Sequence, residues 1–405
     1  MSMTAVIDPI ALRRIALIAA VLVVGCGRGA SAPAPPSSSA SQSSDEITYP
    51  ILKTTSGEIA AHNFLAELAL AEKQHAAQPQ DLRRTRALVD RLLGEAQFFG
   101  KLADYDRAVV LAKQALALAP KDGEAHLLRA HTLAALHEFA AAGAELDRAQ
   151  ALQADPDAVE HQRVGIWQAT GDIDNALTHL KTWRRIRPSF ATFGAEAGAL
   201  ADKHDYPNAA ALFLAARSHY DDVSPFAVAW LEFQEGHMWE SAGRADRARP
   251  LFESALARLP RYAAVAGHLA HLLAAFGDPQ GMERARLLLE PLVAGTDDPE
   301  YVGQMGALYR QMHRTEEGDR LVRSAALGYE TLLEKHAAAF YDHAARFYLH
   351  VAGDPRRALV LAQKNLAFRP TPDARDLVTE AERATDATAS FSSAAEAQKI
   401  SPAAK

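Results

Sequence analysis

Two residue types in this chain bear on chemistry: a single cysteine, Cys26, and sixteen histidines in 405 residues. One cysteine closes no intramolecular disulfide and builds no thiolate metal site. Some of the histidines fall at helical spacings. His268 and His271 are three apart and His343 and His350 seven apart, so each pair shares one helix face. Imidazoles held that way recognise carboxylates and change charge near neutral pH. Signatures of catalysis are missing: there is no His-Glu-x-x-His, no Gly-x-Ser-x-Gly and no phosphate-cradling glycine loop. Gly25-Cys26-Gly27 is too short for a nucleotide fingerprint. No catalytic residue, no cofactor and no enzymatic activity are therefore expected.

The residues around Cys26 assign it a different task. Arg13 and Arg14 precede ten apolar residues, 15–24, about half the length that crosses a bilayer as a helix. Residues 1–25 read as an export signal. Val23-Val24-Gly25-Cys26 resembles the lipobox of bacterial lipoproteins. That resemblance implies cleavage before Cys26 and lipid attachment to it, with more than one acyl chain for stable anchoring. Gly27 follows, where an Asp would mark inner-membrane retention, so the expected address is the outer membrane, facing the periplasm. Residues 26–50 are rich in Ser, Ala and Pro, too poor in apolar surface to fold, and read as a tether. Loss of Arg13, Arg14 and Asp8 with the leader takes the formal charge from −7 to −8. With no Lys/Arg block either, no nucleic-acid partner is expected.

The elements that follow are helices at a fixed period. Ala, Leu and Arg dominate, which favours helix over strand. Ala108, Ala142 and Ala176 recur every 34 residues, and Pro120 and Pro188 lie two periods apart. The fullest unit carries Gly236, Trp239, Gly243, Ala248, Phe252, Ala255 and Pro260. Looser copies carry Ala96/Phe99/Ala108/Ala115/Pro120, Ala130/Leu133/Ala142/Ala149, Val164/Trp167/Gly171/Ala176/Pro188 and Ala197/Leu200/Ala209/Ala216. Three more follow at Ala270/Leu273/Gly277, Gly306/Tyr309/Gly318/Ala325 and Gly353/Ala358/Pro370. This pattern resembles the tetratricopeptide repeat, a 34-residue helix–turn–helix unit. It implies an all-α solenoid winding as a right-handed superhelix, with disordered tails. About eight repeats are expected over 87–370, an N-terminal capping region over 51–86, a capping helix over 371–387 and a disordered tail over 388–405. Two departures stand out. "GDPQGMERA" (277–285) carries extra residues between its helices, and the unit near 299–336 lacks its closing Pro.

In tetratricopeptide proteins the first helix of each repeat lines the concave face. The resemblance therefore places His131, His161, His237, His271 and His343 along a groove, with Trp230 and Phe233 as candidate apolar anchors. Each has a plainer reading, as a half-exposed polar residue or as packing between repeats. Equivalent positions on adjacent repeats lie about a helix diameter apart, ~10 Å, so no metal site is expected. The Lys/Asn/Arg clamp for chaperone C-termini is absent: Leu93, Gln97, Leu127 and Gly165 are among the residues at the comparable positions. The expected function is a non-catalytic, membrane-anchored scaffold that docks a protein or peptide of the envelope. The alternative is an accessory subunit of an envelope enzyme or of a pilus, secretion or outer-membrane assembly.

Overall fold

The structure is a computed structural model and describes residues 49–400. The export signal, Cys26, the tether up to residue 48 and residues 401–405 lie outside the described residues. Among the described residues there are seventeen α-helices and no strand. In chain order they are α1 (Gly57–Ala77), α2 (Leu82–Phe99), α3 (Ala103–Leu118), α4 (Gly123–Ala135), α5 (Phe139–Ala151) and α6 (Pro156–Ala169). Then come α7 (Ile173–Ile186), α8 (Phe190–Asp202), α9 (Tyr206–Ser218), α10 (Pro225–Ser241), α11 (Ala245–Arg258) and α12 (Ala263–Ala275). The last five are α13 (Pro279–Gly295), α14 (Pro299–Gln311), α15 (Thr315–Phe347), α16 (Pro355–Phe368) and α17 (Pro372–Ile400). The chain divides into two compact units between Asp297 and Asp298.

Each repeat is punctuated the same way. Between its two helices one residue adopts positive φ, where the left-handed conformation reverses the chain. These residues are Gly100, His137, Gly171, His204, Gly243, Gly277, His313 and Gly353, with φ between 58° and 84°. Glycine is the default there because it lacks Cβ, and histidine is among the few side chains that tolerate it. Three of the sixteen histidines are thus turn residues. Asp side chains cap several helices: Asp81, Asp122, Asp155 and Asp298 open first helices and Asp354 opens the second helix α16, each accepting from backbone N–H groups of the following turn.

Small residues bring paired helices together. Ala108, Ala142, Ala176, Ala209, Ala248 and Ala358 are fully buried. Gly236 lies so close to Phe252 that a Cβ there would sit 2.5 Å from the ring. Where the closing Pro is missing, the second helix of one repeat runs into the first helix of the next. α15 spans both, with a break at His336 (φ −140°, ψ 49°). α13 absorbs the extra turn residues by starting at Pro279, with Asp278 accepting from the Gly281 amide at 2.8 Å. The helix expected over 371–387 spans Pro372–Ile400.

In the first unit the opening repeat meets the closing ones. Phe98 meets Phe226 edge to face and Tyr262 at a tilt, with ring centroids 4.9 and 5.0 Å away. Lys101 donates to the Gly295 carbonyl at 2.5 Å. The Asp297 carboxylate accepts from the amides of Leu102 and Ala103, at 2.5 and 2.8 Å.

Candidate functional site

α10 is the helix around which the first unit is built. Pro225 opens it, preset for the first helical turn. Its sequence is apolar on every side, the signature of a helix enclosed all round, and α1, α8, α9 and α11 all pack on it. Yet it carries three buried glutamates, Glu232, Glu235 and Glu240, with side chains at most 5% exposed. A buried carboxylate is tolerated only when paired and hydrogen-bonded, and each of these has a partner. Arg258 Nε reaches Glu232 at 2.9 Å, Arg217 reaches Glu235 at 2.6 Å, and His268 Nδ1 lies 2.6 Å from Glu240. Burial pushes the Glu232 carboxyl up, while Arg258 and the Ser254 hydroxyl pull against it. At Glu240 burial also works upward, but His268, His271 and His237 outweigh it and hold the carboxyl below its usual range.

Two arrangements grow from these pairs. The first is a strap. Residues 49–55 run without helix or turn across the Arg217–Glu235 and Arg258–Glu232 pairs. The Tyr49 hydroxyl donates to Glu235 at 2.8 Å, and the Arg217 guanidinium lies 4.5 Å from the Tyr49 ring centre. Arg258 donates to the Leu52 carbonyl at 2.9 Å, and the Thr55 amide donates to the Val223 carbonyl at 2.7 Å. Ile51 meanwhile is 92% exposed. The strap is held by its backbone and by one aromatic residue, the usual way an extended peptide is gripped.

The second is a cluster of His237, Glu240 and His268. One ligand-type atom from each lies within 4.8 Å of the other two, and all three are buried. His237 and Glu240 share a face of α10 at i, i+3, and His268 enters from α12. The His237 and His268 rings meet edge to face at 5.4 Å. Phe233 and Phe252 flank His268 at 5.2 and 5.6 Å.

The residues singled out by sequence do not share one surface. His131 is buried, 3.7 Å from Asp90; burial first and Arg86 second bring its pKa down to about 4. His161 is exposed, stacked on Trp183 at 4.1 Å. Trp230 is 5% exposed and lies in the packed interior, and Phe233 is half-buried among Phe252, Tyr262 and His268. His271 is exposed. In the second unit His343 is mostly buried, its side chain 13% exposed, between Glu300 (3.0 Å) and Asp342 (4.0 Å). Of the seven, only His237, its flanking Phe233 and the nearby His271 meet in one neighbourhood. Glu240 and the inward turn of His268 escaped the sequence reading, as did the strap. The available signal was three carboxylates on an otherwise apolar helix, which demand buried partners.

One solvent-open depression of about 560 Å³ lies along α7 and α8, lined by Asp174, Lys181, Lys203 and Asp205 among others. Asp174 is 82% exposed and paired with Lys203 at 2.5 Å, which holds its carboxyl low. That is a solvated ion pair rather than a poised acid or base. No described helix is long and apolar enough to cross a membrane.

Residues 241–308 match the tetratricopeptide repeat family. Over that stretch the chain carries tetratricopeptide repeat sequence. The match begins at the end of α10, so the α12 partner of the histidine cluster lies inside it. No curated protein matches the chain in sequence. Among solved structures, the APC/C hetero-tetramer Cut9–Hcn1 aligns at 14% identity and TM-score 0.37, over 78% of this chain and 52% of that one. This chain thus spans about half the length of that relative. The human IFIT1 dimer with PPP-AAAA aligns at 16% identity and TM-score 0.40, over 75% and 69%. A tetratricopeptide repeat protein from Parabacteroides merdae aligns at 12% identity and TM-score 0.37, over 73% and 98%.

Proposed function

We propose that this chain is an exported, lipid-anchored scaffold, tethered through Cys26 at the periplasmic side of the outer membrane, whose tetratricopeptide repeats dock an extended segment of an envelope protein without catalysis. The observation that carries the docking part is the strap. Side chains of α9, α10 and α11 and a carbonyl just before α10 hold this segment through three hydrogen bonds, two of them to its backbone, and one cation–π contact. Repeats that hold their own chain in this way have the chemistry to hold another. The anchor rests on the lipobox-like residues and the tether composition, and the exclusion of nucleic acid on the net charge and scattered basic residues.

Two measurements test the reading. Fractionation of cells expressing the Cys26→Ser chain is expected to move the protein out of the membrane fraction; unchanged partitioning refutes the anchor. Photo-crosslinking from His161 and His271, both exposed on first helices, is expected to give a discrete protein adduct in the envelope. Recovery of nucleic acid, or of no adduct from either position, overturns the docking role.

A further inference from the structure

We infer that His237, Glu240 and His268 form a binding site for one divalent transition-metal ion of the zinc class, which clamps α10 to α12 inside the first unit. The inference is independent of the anchoring and docking reading above.

The donor set is chemically right. Two imidazoles and one carboxylate are the ligands that bind zinc with one coordination position left over, and they suit zinc, nickel or copper better than calcium or magnesium. The positions are right as well. A tetrahedral ion with bonds of about 2.1 Å holds its ligands roughly 3.4 Å apart. The three donor atoms already lie within 4.8 Å of one another, and Glu240 and His268 are at 2.6 Å. Small changes in side-chain torsion close the set around an ion without moving either helix. His237 and Glu240 come from one helical face, so the only long-range requirement is the approach of α12.

Sequence spacing concealed this approach. The position on α12 equivalent to His237 is His271, one 34-residue period on, and it is exposed. His268 lies one turn earlier, on the side of α12 that leans back toward α10. The helix-diameter separation expected between equivalent positions does not apply to it.

The surroundings favour an ion further. Phe233 and Phe252 form an apolar wall beside His268, and the cluster is almost fully shielded from water. A low-dielectric pocket strengthens the attraction between a dication and the Glu240 carboxylate. Without an ion that carboxylate is held by imidazole alone. With one, both rings contribute lone pairs and the carboxylate is matched by a full positive charge.

The test uses the full chain with Cys26→Ser, so that no thiolate contributes. Titration with Co²⁺, followed by visible absorption, is expected to saturate at one equivalent with the intense bands of a four- or five-coordinate ion. Zn²⁺ is expected to displace it and to raise Tm in a concentration-dependent way. His237→Ala and Glu240→Gln are each expected to weaken binding at least about tenfold, by loss of a ligand where even outer-shell changes cost 10- to 100-fold, and to abolish the Zn²⁺-dependent rise in Tm. Glu240→Gln keeps a hydrogen-bond acceptor for His268 and so guards against simple misfolding, which circular dichroism monitors. His219→Ala, which removes an exposed imidazole at the end of α9, is expected to bind the ion as the parent does. Equal Zn²⁺ affinity in the parent and in correctly folded His237→Ala and Glu240→Gln chains overturns the site. So does a parent that gives no saturable Co²⁺ spectrum.

Discussion

Glu95 and Asp104 set two carboxyl groups against each other between α2 and α3. Burial, then the hydrogen bond and charge of Asp104, push the Glu95 carboxyl up from 4.5 to about 7. Its folded value lies above its unfolded one, so the folded state holds an extra proton between those values, and stability falls as pH rises through 7. Glu95→Gln is expected to stabilise the chain at pH 8 by about 1 kcal/mol after allowance for solvent screening, and to change little at pH 4. Urea denaturation at the two pH values measures it. At His343 burial opposes the charged form, but Asp342, Glu300 and Asp298 prevail and raise the pKa to about 9. Its contribution is complete below 6.5 and drains away as pH climbs through 9. In His343→Gln the stability lost by the parent between pH 6.5 and 9.5 is expected to shrink, and an unchanged slope refutes the assignment.

Among helices, the repeat rhythm was legible because its punctuation is chemical: a left-handed residue between helices, a small residue at the close approach, a Pro at the end. The all-helical architecture of the described residues followed from such residues. What stayed hidden depends on packing around α10. Trp230 reads equally well as a surface anchor or as core, and only the helices packed on α10, α8 among them, settle its burial. Histidines posed the same difficulty. His137, His204 and His313 serve as turn residues, while His268 and His271, three positions apart, face opposite environments. The tightest of these element-level contacts is that of Gly236 with Phe252. Gly236→Ala forces a methyl group to within 2.5 Å of a fully buried ring. It is expected to cost about 1–3 kcal/mol by overpacking, read as a lower midpoint in denaturant with an unchanged slope.

At the scale of the first unit, a helix is capped from almost two hundred residues away. α3 begins after Leu102, which has no side-chain cap of its own, and the Asp297 carboxylate accepts the amides of Leu102 and Ala103 instead. Asp297→Ala removes that remote cap and is expected to cost about 1–2 kcal/mol. Hydrogen exchange is expected to quicken in the first turn of α3; protection there equal to the parent's rules the cap out. A truncation that keeps α2–α3 but ends before Asp297 would lose the same protection.

The strap also has a mechanical reading. A pull on the chain from the N-terminal side of Tyr49 meets its contacts one at a time: first the phenol on Glu235 and Arg217, then the Leu52 carbonyl on Arg258, then the Thr55 amide on Val223. Contacts engaged in sequence peel rather than shear. The force needed at each step is set by the contact then engaged, a hydrogen bond with a cation–π contact first and a single hydrogen bond at each later step, each worth about 1–3 kcal/mol, and not by their sum. Residues 49–55 are therefore expected to release stepwise under such a pull, before tension reaches α1 and the repeats behind it.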